Sequence, residues 1–190
     1  MPTYEPSILV RPGPEHLPGY AAALETGWSP NTTRPEVARE ELENLAKDSD
    51  AVLRRFDDPD AKGPPITLTD GSSVKRLPSI TRFIWDGQFC GNISLRWQGG
   101  TADLPSFCLG HIGYSVVPWK QRRGYATRGL REILVQAGEL GLPYVVLAAD
   151  TTNIASQNVI LKCGGEIVHG FQPEANNEST EHELYRIKLT

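Results

Sequence analysis

GHIGYSVVPWKQRRGYATRGLREILVQA, residues 110 to 137, decides how the rest of the chain is read. His111 to Val117 alternates as a strand, Pro118 ends it, and a basic turn follows at Gln121-Arg122-Arg123-Gly124-Tyr125-Ala126. Beyond the turn, Ala126, Leu130, Ile133, Leu134 and Ala137 recur at helical spacing and make one apolar stripe, with Arg128, Arg131 and Glu132 off it. Gly141 and Pro143 are stop signals. The first N–H groups of such a helix have no partners inside it, and the helix dipole adds partial positive charge there. A diphosphate fits that place. Gly124, with no Cβ, lets the backbone come close to it, and Lys120, Arg122 and Arg123 would add charge around the anion. The competing reading is a plain strand–turn–helix with a solvated basic turn, which a short glycine motif alone does not exclude.

At 190 residues the chain fits one domain, 1–190, long enough to bury a sizeable core. A net charge of −4 and a pI near 5.6 argue against a general nucleic-acid binder. No apolar run approaches a membrane span, and MPTYEPSILVRPG lacks the basic start and apolar centre of a signal peptide. Cys90, Cys108 and Cys163 are scattered and odd in number, as expected of reduced thiols in a cytoplasmic protein. No Cys or His spacing suggests a metal, and Glu181-His182-Glu183 reads as a solvated turn.

Working outward from the central stretch, Ser7–Arg11 is a first strand and Glu15–Thr26 a helix with Leu17, Tyr20, Ala21 and Leu24 inward. Thr33-Arg34-Pro35-Glu36 has capping-box spacing and opens a helix to about Lys47, with Val37, Leu42 and Leu45 along one side. Residues 57–79 contain DDPDAKGPP and TDGSS, and read as an insertion or loop, with a short strand at Ile66–Thr69. Ile80–Asp86 and Gln88–Trp97 form a hairpin turned at Asp86-Gly87. Phe107–Val117 is the central strand. Tyr144–Ala149 is apolar throughout, as in a strand buried on both faces by parallel pairing. Asp150-Thr151-Thr152-Asn153 caps a helix over Ile154–Cys163, Gly164-Gly165 stop it, and strands at Glu166–Phe171 and Glu183–Leu189 flank a polar loop, Gln172–Glu181. The order is β-α-α-β-β-β-α-β-α-β-β, a mixed α+β arrangement.

The turn at Gln121–Ala126, of pattern Q/R-x-x-G-x-G/A, resembles the acyl-CoA pyrophosphate loop of the GNAT N-acetyltransferase superfamily. Asn153-Ile154-Ala155-Ser156, with the helix NIASQNVILKCGG, is similar to that superfamily's second cofactor motif. The combined pattern GHIGY-x-V-x-P, QRRGYAT, D-x-x-N-x-A-S and GG resembles a bacterial subgroup of predicted acetyltransferases. The resemblance runs from about Ser7 to the C-terminus, outside residues 57–79. It implies a mixed, mostly antiparallel sheet of six to seven strands flanked by helices, with a β-α-β cofactor-binding core. It implies acetyl-CoA as co-substrate and no metal. Cofactor contacts would come from Ser115, Val116, Val117, Gln121, Arg122, Arg123, Gly124, Tyr125, Ala126, Thr127, Asn153 and Ser156. Asn153 would reach the pantetheine amide, and the paired N-terminal helices would flank the acceptor side. One departure stands out: many members carry a Tyr near the cofactor sulfur, and the matching position here is Ile160.

The implied chemistry is direct attack of a neutral amine on a thioester. It needs a route for the amine's proton and donors where negative charge grows. A splay of the central strand from its neighbour would supply backbone N–H groups near Tyr114–Val116. The candidates for proton transfer are His111 and Tyr114, set against a reading of each as a structural residue; they alternate onto opposite faces. Cys108 has nothing near it in sequence to lower its pKa. The expected partner is a small-molecule or peptide amine, with no nucleic acid and no membrane; a homodimer is compatible. A second class, a CoA-binding or sensor domain without catalysis, is kept open by Ile160. Nucleotide phosphate binding is weakened by the absence of G-x-x-x-x-G-K-[ST].

Overall fold

The computed structural model describes residues 6–32, 34–68, 71–168 and 182–189. The Thr33 cap, the Gln172–Glu181 loop and the end of the Glu166–Phe171 strand lie outside them. Two antiparallel arms carry the architecture. In the first, β1 (Leu9–Val10), β5 (Ser79–Trp85), β6 (Phe89–Arg96) and β7 (Ile112–Val116) lie in that order, and β2 (Asp57–Asp58) also pairs with β5. In the second, β8 (Tyr144–Asp150) pairs with β10 (His182–Lys188), which pairs with β9 (Glu166–Ile167). A small hairpin, β3 (Ile66–Thr67) with β4 (Ser73–Val74), stands apart, so the 57–79 segment carries three short strands.

Two expectations about the arms are corrected. The central strand is only Ile112–Val116, and residues 107–111 are irregular. The reason lies at Gly110, where a Cβ would stand 3.0 Å from the Val146 carbonyl oxygen and 3.3 Å from the Ala148 nitrogen. The chain crosses onto β8 there instead of continuing a ladder. β8, in turn, has no parallel strand partner among the described residues; it alternates, with Val145, Leu147 and Ala149 buried. Its apolar run reflects one face in the core and one face that is half-buried.

The helices follow their patterns. α1 (Leu17–Glu25) buries Tyr20, Ala23 and Leu24. These meet Trp28, Phe83 and Phe89 in an aromatic cluster, with Phe56 against it. α2 (Val37–Lys47) turns Ala38 and Glu41 inward, with Leu42 and Leu45 half-buried. A further helix that the sequence reading missed, α3 (Ser49–Arg55), is capped by Asp48 Oδ1 accepting from Ala51 N at 2.8 Å. α4 (Tyr125–Glu139) buries Leu130, Ile133 and Ala137 of the expected stripe, and Gly129 lets it settle onto Ile84 and Leu9. Off the stripe, Glu132 accepts from the backbone N–H groups of Ile8 and Leu9, fixing β1 against the helix. α5 (Ile154–Lys162) packs against α4 and β8, with Ile160 fully buried among Leu130, Ile133 and Leu147. No helix among the described residues is long and apolar enough to cross a membrane.

Candidate active site

The site is the gap between the arms. It closes at His111, whose N–H donates to Val146 O at 2.7 Å while Val146 N–H donates to His111 Nδ1 at 2.9 Å. From Ile112 to Val116, β7 has only β6 as a strand partner among the described residues. Val117 N–H donates to Cys90 O on the β6 side. Alternation then turns the backbone groups of Ile112, Tyr114 and Val116 toward the gap. The Val116 carbonyl there is met by Gln121 Nε2 at 3.1 Å. So the expected splay exists at Tyr114–Val116, and Val116 offers its gap-side edge. Ser115 and Val117, expected beside it, point elsewhere: Ser115 Oγ accepts from Trp28 Nε1 at 2.9 Å on the α1 face, and the Val117 N–H is already bonded.

At the open end of the gap stands the basic turn. A tight helical turn at Pro118–Lys120 leads into it. Gly124 is the N-cap of α4 at φ 83°, a left-handed conformation, and nothing lies within 4 Å of where its Cβ would be. Arg122 is also left-handed, at φ 60°. The first helical bond is Arg128 N to Gly124 O, 3.0 Å. The N–H groups of Tyr125, Ala126 and Thr127 therefore precede the helix ladder and point out of its end. Arg122 and Arg123 are exposed beside them. Backbone N–H groups gathered in this way suit an anion.

Lys120 does not join it. Its Nζ is 2.8 Å from Asp86 Oδ2, and the Tyr125 hydroxyl donates to the same carboxylate. Burial pushes the Asp86 pKa up, but the hydrogen bonds from Lys120 and Tyr125 outweigh it and hold the carboxyl at about 2. The hydrogen bond to Asp86, with some burial, raises Tyr125 to about 12. Asp86, legible in the sequence only as half of a hairpin turn, thus ties the β5–β6 turn to the start of α4. Nothing in a single sequence marks that pairing, which spans 39 residues for Tyr125.

Across the gap, α5 begins with Asn153 Oδ1 accepting from Ser156 N at 3.0 Å. That spends the Asn153 oxygen on the cap and leaves its amide N–H groups as donors. Ser156 Oγ is 2.8 Å from the Tyr114 hydroxyl, which also donates to Ser156 O at 3.2 Å. Burial, partly offset by the Ser156 hydrogen bond, pushes Tyr114 up to about 12. Tyr114 therefore spans from β7 to the first turn of α5, joining two residues singled out separately in the sequence. Ile160, by contrast, points into the core, and a Cβ on Gly165 would collide with it.

His111 stands at the closed end, away from this bridge along β7. It is 1% exposed, and its Nδ1 accepts a backbone N–H, so the neutral ring carries its proton on Nε2. Burial lowers its pKa below the ordinary histidine value. The geometry suits a fastener between the arms. The three cysteines are free, with Cys90 buried and raised to about 11 by burial and by the nearby Asp86. No group of three or more His, Cys, Asp or Glu suited to a metal occurs among the described residues.

Comparison with known proteins accords with this geometry. No curated protein matches the chain in sequence. Among solved structures, the chain is similar to the microcin C7 self-immunity acetyltransferase MccE, solved with acetyl-CoA and AMP. The TM-score is 0.61 at 12% identity, covering 95% of this chain and 91% of that one. It is similar to RimL, a ribosomal L7/L12 alpha-N-protein acetyltransferase solved with coenzyme A, at TM-score 0.60 and 12% identity over 95% and 93% of the two chains. An acetyltransferase of Agrobacterium tumefaciens gives 0.52 at 17% identity over 94% and 88%. At these identities the likeness is one of fold. The family model described as "Acetyltransferase (GNAT) domain" matches residues 8–166, most of the chain, so the protein belongs to the GNAT acetyltransferase family.

Proposed function

We propose that the protein transfers an acetyl group from acetyl-CoA to a primary amine by direct attack. The observation that carries this is the edge of β7 from Ile112 to Val116, which has no second strand partner among the described residues and leads to the N–H groups at the start of α4. The diphosphate would bind at Tyr125–Thr127 beside Arg122 and Arg123, and the pantetheine would run along the gap edge of β7 toward Asn153. The complexes of MccE with acetyl-CoA and of RimL with coenzyme A support that choice of ligand.

In the reaction, the lone pair of a neutral amine attacks the thioester carbonyl. The C–N bond forms, the C–S bond breaks, the amine gives up a proton and the sulfur takes one, so acetyl amide and free thiol result. An alkyl amine is mostly protonated at neutral pH, so water at the mouth of the gap must accept its proton before or during attack. Tyr114, protonated throughout the neutral range, would swing its one O–H from the Ser156 carbonyl oxygen to the departing sulfur, with Ser156 Oγ donating to the phenol oxygen. A phenol from β7 would then do what the helix Tyr of many family members does, which explains how Ile160 can be a core residue. Acceptor-dependent release of free thiol across a panel of amines tests the proposal. Tight CoA binding with no release for any amine would instead favour a binding domain without transfer.

A further inference from the structure

The turn between β7 and α4 is tied at both ends to one carboxylate. Gly91 on β6 pairs with Val116, and Val117 N–H donates to Cys90 O at 3.0 Å, so the end of the β5–β6 hairpin runs on beside Val117–Lys120. Asp86 sits in that hairpin's turn. Its Oδ1 accepts from Gln88 N–H at 3.2 Å, which fixes the carboxylate on the hairpin. Its Oδ2 takes Lys120 Nζ at 2.8 Å and the Tyr125 hydroxyl. Lys120 Nζ also lies 6.0 Å from the centre of the Tyr125 ring. The side chains of Asp86 and Lys120 are 24% and 12% exposed, so water screens this pair less than it screens a pair out in solvent.

Between the two tied residues lie Gln121, Arg122, Arg123 and Gly124, and their conformation needs holding. Among the described residues, backbone bonds stop at Gln121 N–H to Pro118 O, 3.3 Å, and resume at Arg128 N–H to Gly124 O, 3.0 Å. Arg122, which has a Cβ, is left-handed at φ 60°. A residue of that kind keeps such a conformation only where its surroundings over-determine it. Charge gives no reason for an acid at this place. A carboxylate repels a diphosphate, and this one takes up the Lys120 cation that could have met it. Shape does give a reason, because one carboxylate on a rigid hairpin fixes where the turn begins and where α4 starts.

We infer that Asp86 is a positioning residue for the coenzyme: acting through Lys120 and Tyr125, it holds the Gln121–Gly124 turn in the arrangement that aims the Tyr125–Thr127 N–H groups at the diphosphate. This rests on the acetyltransferase reading above and deepens it. An affinity is reduced by the fraction of molecules that hold the competent shape, so Asp86→Ala should bind CoA about tenfold more weakly if that fraction falls to about a tenth. Charge alone predicts the reverse, tighter binding as Lys120 is freed to meet the anion. Asp86→Asn, whose amide oxygen still accepts a hydrogen bond, should recover part of the loss. Tyr125→Phe should weaken CoA binding in the parent and be silent in Asp86→Ala, where the tie is already gone. Calorimetric titration with CoA is read on these proteins at a temperature where circular dichroism shows each folded. Should Asp86→Ala not fold, the same cycle is read on Asp86→Asn, where the effect of Tyr125→Phe should shrink. CoA affinity unchanged or improved on loss of the carboxylate, even with a lower melting temperature, refutes the role given to Asp86. So does a Tyr125→Phe loss of equal size in both backgrounds. Failure of the parent to bind CoA instead refutes the cofactor reading, and a folded Gly124→Glu that binds as the parent does refutes the diphosphate's place at this turn.

Discussion

Gly124 gives the strongest test of the anion site. At φ 83° any other residue is strained, by about 1–2 kcal/mol. No atom stands within 4 Å of the Cβ position, so strain is the whole structural cost and it is the same for Ala and Glu. For a chain of this size that is a fall in melting temperature of about 2–8 °C, with the fold intact. The two variants differ in charge. A carboxylate about 4 Å from a phosphate oxygen is repelled by ~1 kcal/mol in bulk water and ~4 kcal/mol at the effective dielectric of a protein surface. Gly124→Glu should therefore bind CoA roughly 5- to 1,000-fold more weakly than Gly124→Ala, and the difference should shrink as salt is added. Arg123→Ala, at an exposed site with the backbone amides still in place, should lose at most about fivefold. Calorimetric titration with CoA, alongside thermal melts, measures both quantities. If Gly124→Glu is folded and binds CoA as the parent does, the diphosphate does not lie at this turn.

Tyr114→Phe removes a hydrogen bond to developing negative charge, worth about 1.5–3 kcal/mol; kcat should fall about 10- to 150-fold with little change in KM for acetyl-CoA, and an unchanged kcat refutes its role. Asp86 sits at a pKa of about 2, below its ordinary value of 3.8, so its stabilisation is complete above 3.8 and is lost as pH falls toward 2. About 1–2 kcal/mol is at stake after screening, and acid denaturation of Asp86→Asn should lack that limb. His111 is held neutral with its pKa depressed, so stability should fall as pH drops below about 6.5, its unfolded value. His111→Ala should lose that limb, cost at least about 1–3 kcal/mol for the orphaned Val146 N–H, and leave the pH profile of turnover unmoved; a shifted profile would return His111 to the chemistry.

Local signals made the open end of the gap legible. The stripe of α4, the glycine of the turn and the Asn153 cap each depend on residues within a turn or two of one another, and each is found where the pattern puts it. α3 escaped because seven residues carry too little periodicity to separate from the preceding helix. Glu41 escaped because its partners, Arg55 and Tyr20, are 14 and 21 residues away, and an acid on an amphipathic helix reads as solvated. The parallel pairing expected of β8 failed for a related reason: an apolar run says that a strand is covered, and does not say by what.

The gap itself belongs to no residue, and that is why its chemistry was the least legible part. Alternation along β7 correctly separates Tyr114 from Ser115, but which face meets the cofactor and which meets the acceptor depends on packing from distant elements. Trp28 takes Ser115 to the α1 side across 87 residues, and Ser156 takes the Tyr114 hydroxyl across 42. The two faces of one short strand thus meet different elements. Tyr114 faces the first turn of α5, while Gly113 and Ser115 lie in the polar face that ends at Arg96. A glycine at 113 leaves room for the Arg96 side chain to lie over the strand; Gly113→Val would push the guanidinium off it. Such a variant should keep its CoA affinity, read by calorimetric titration, and loss of that affinity would mean that the faces are not independent.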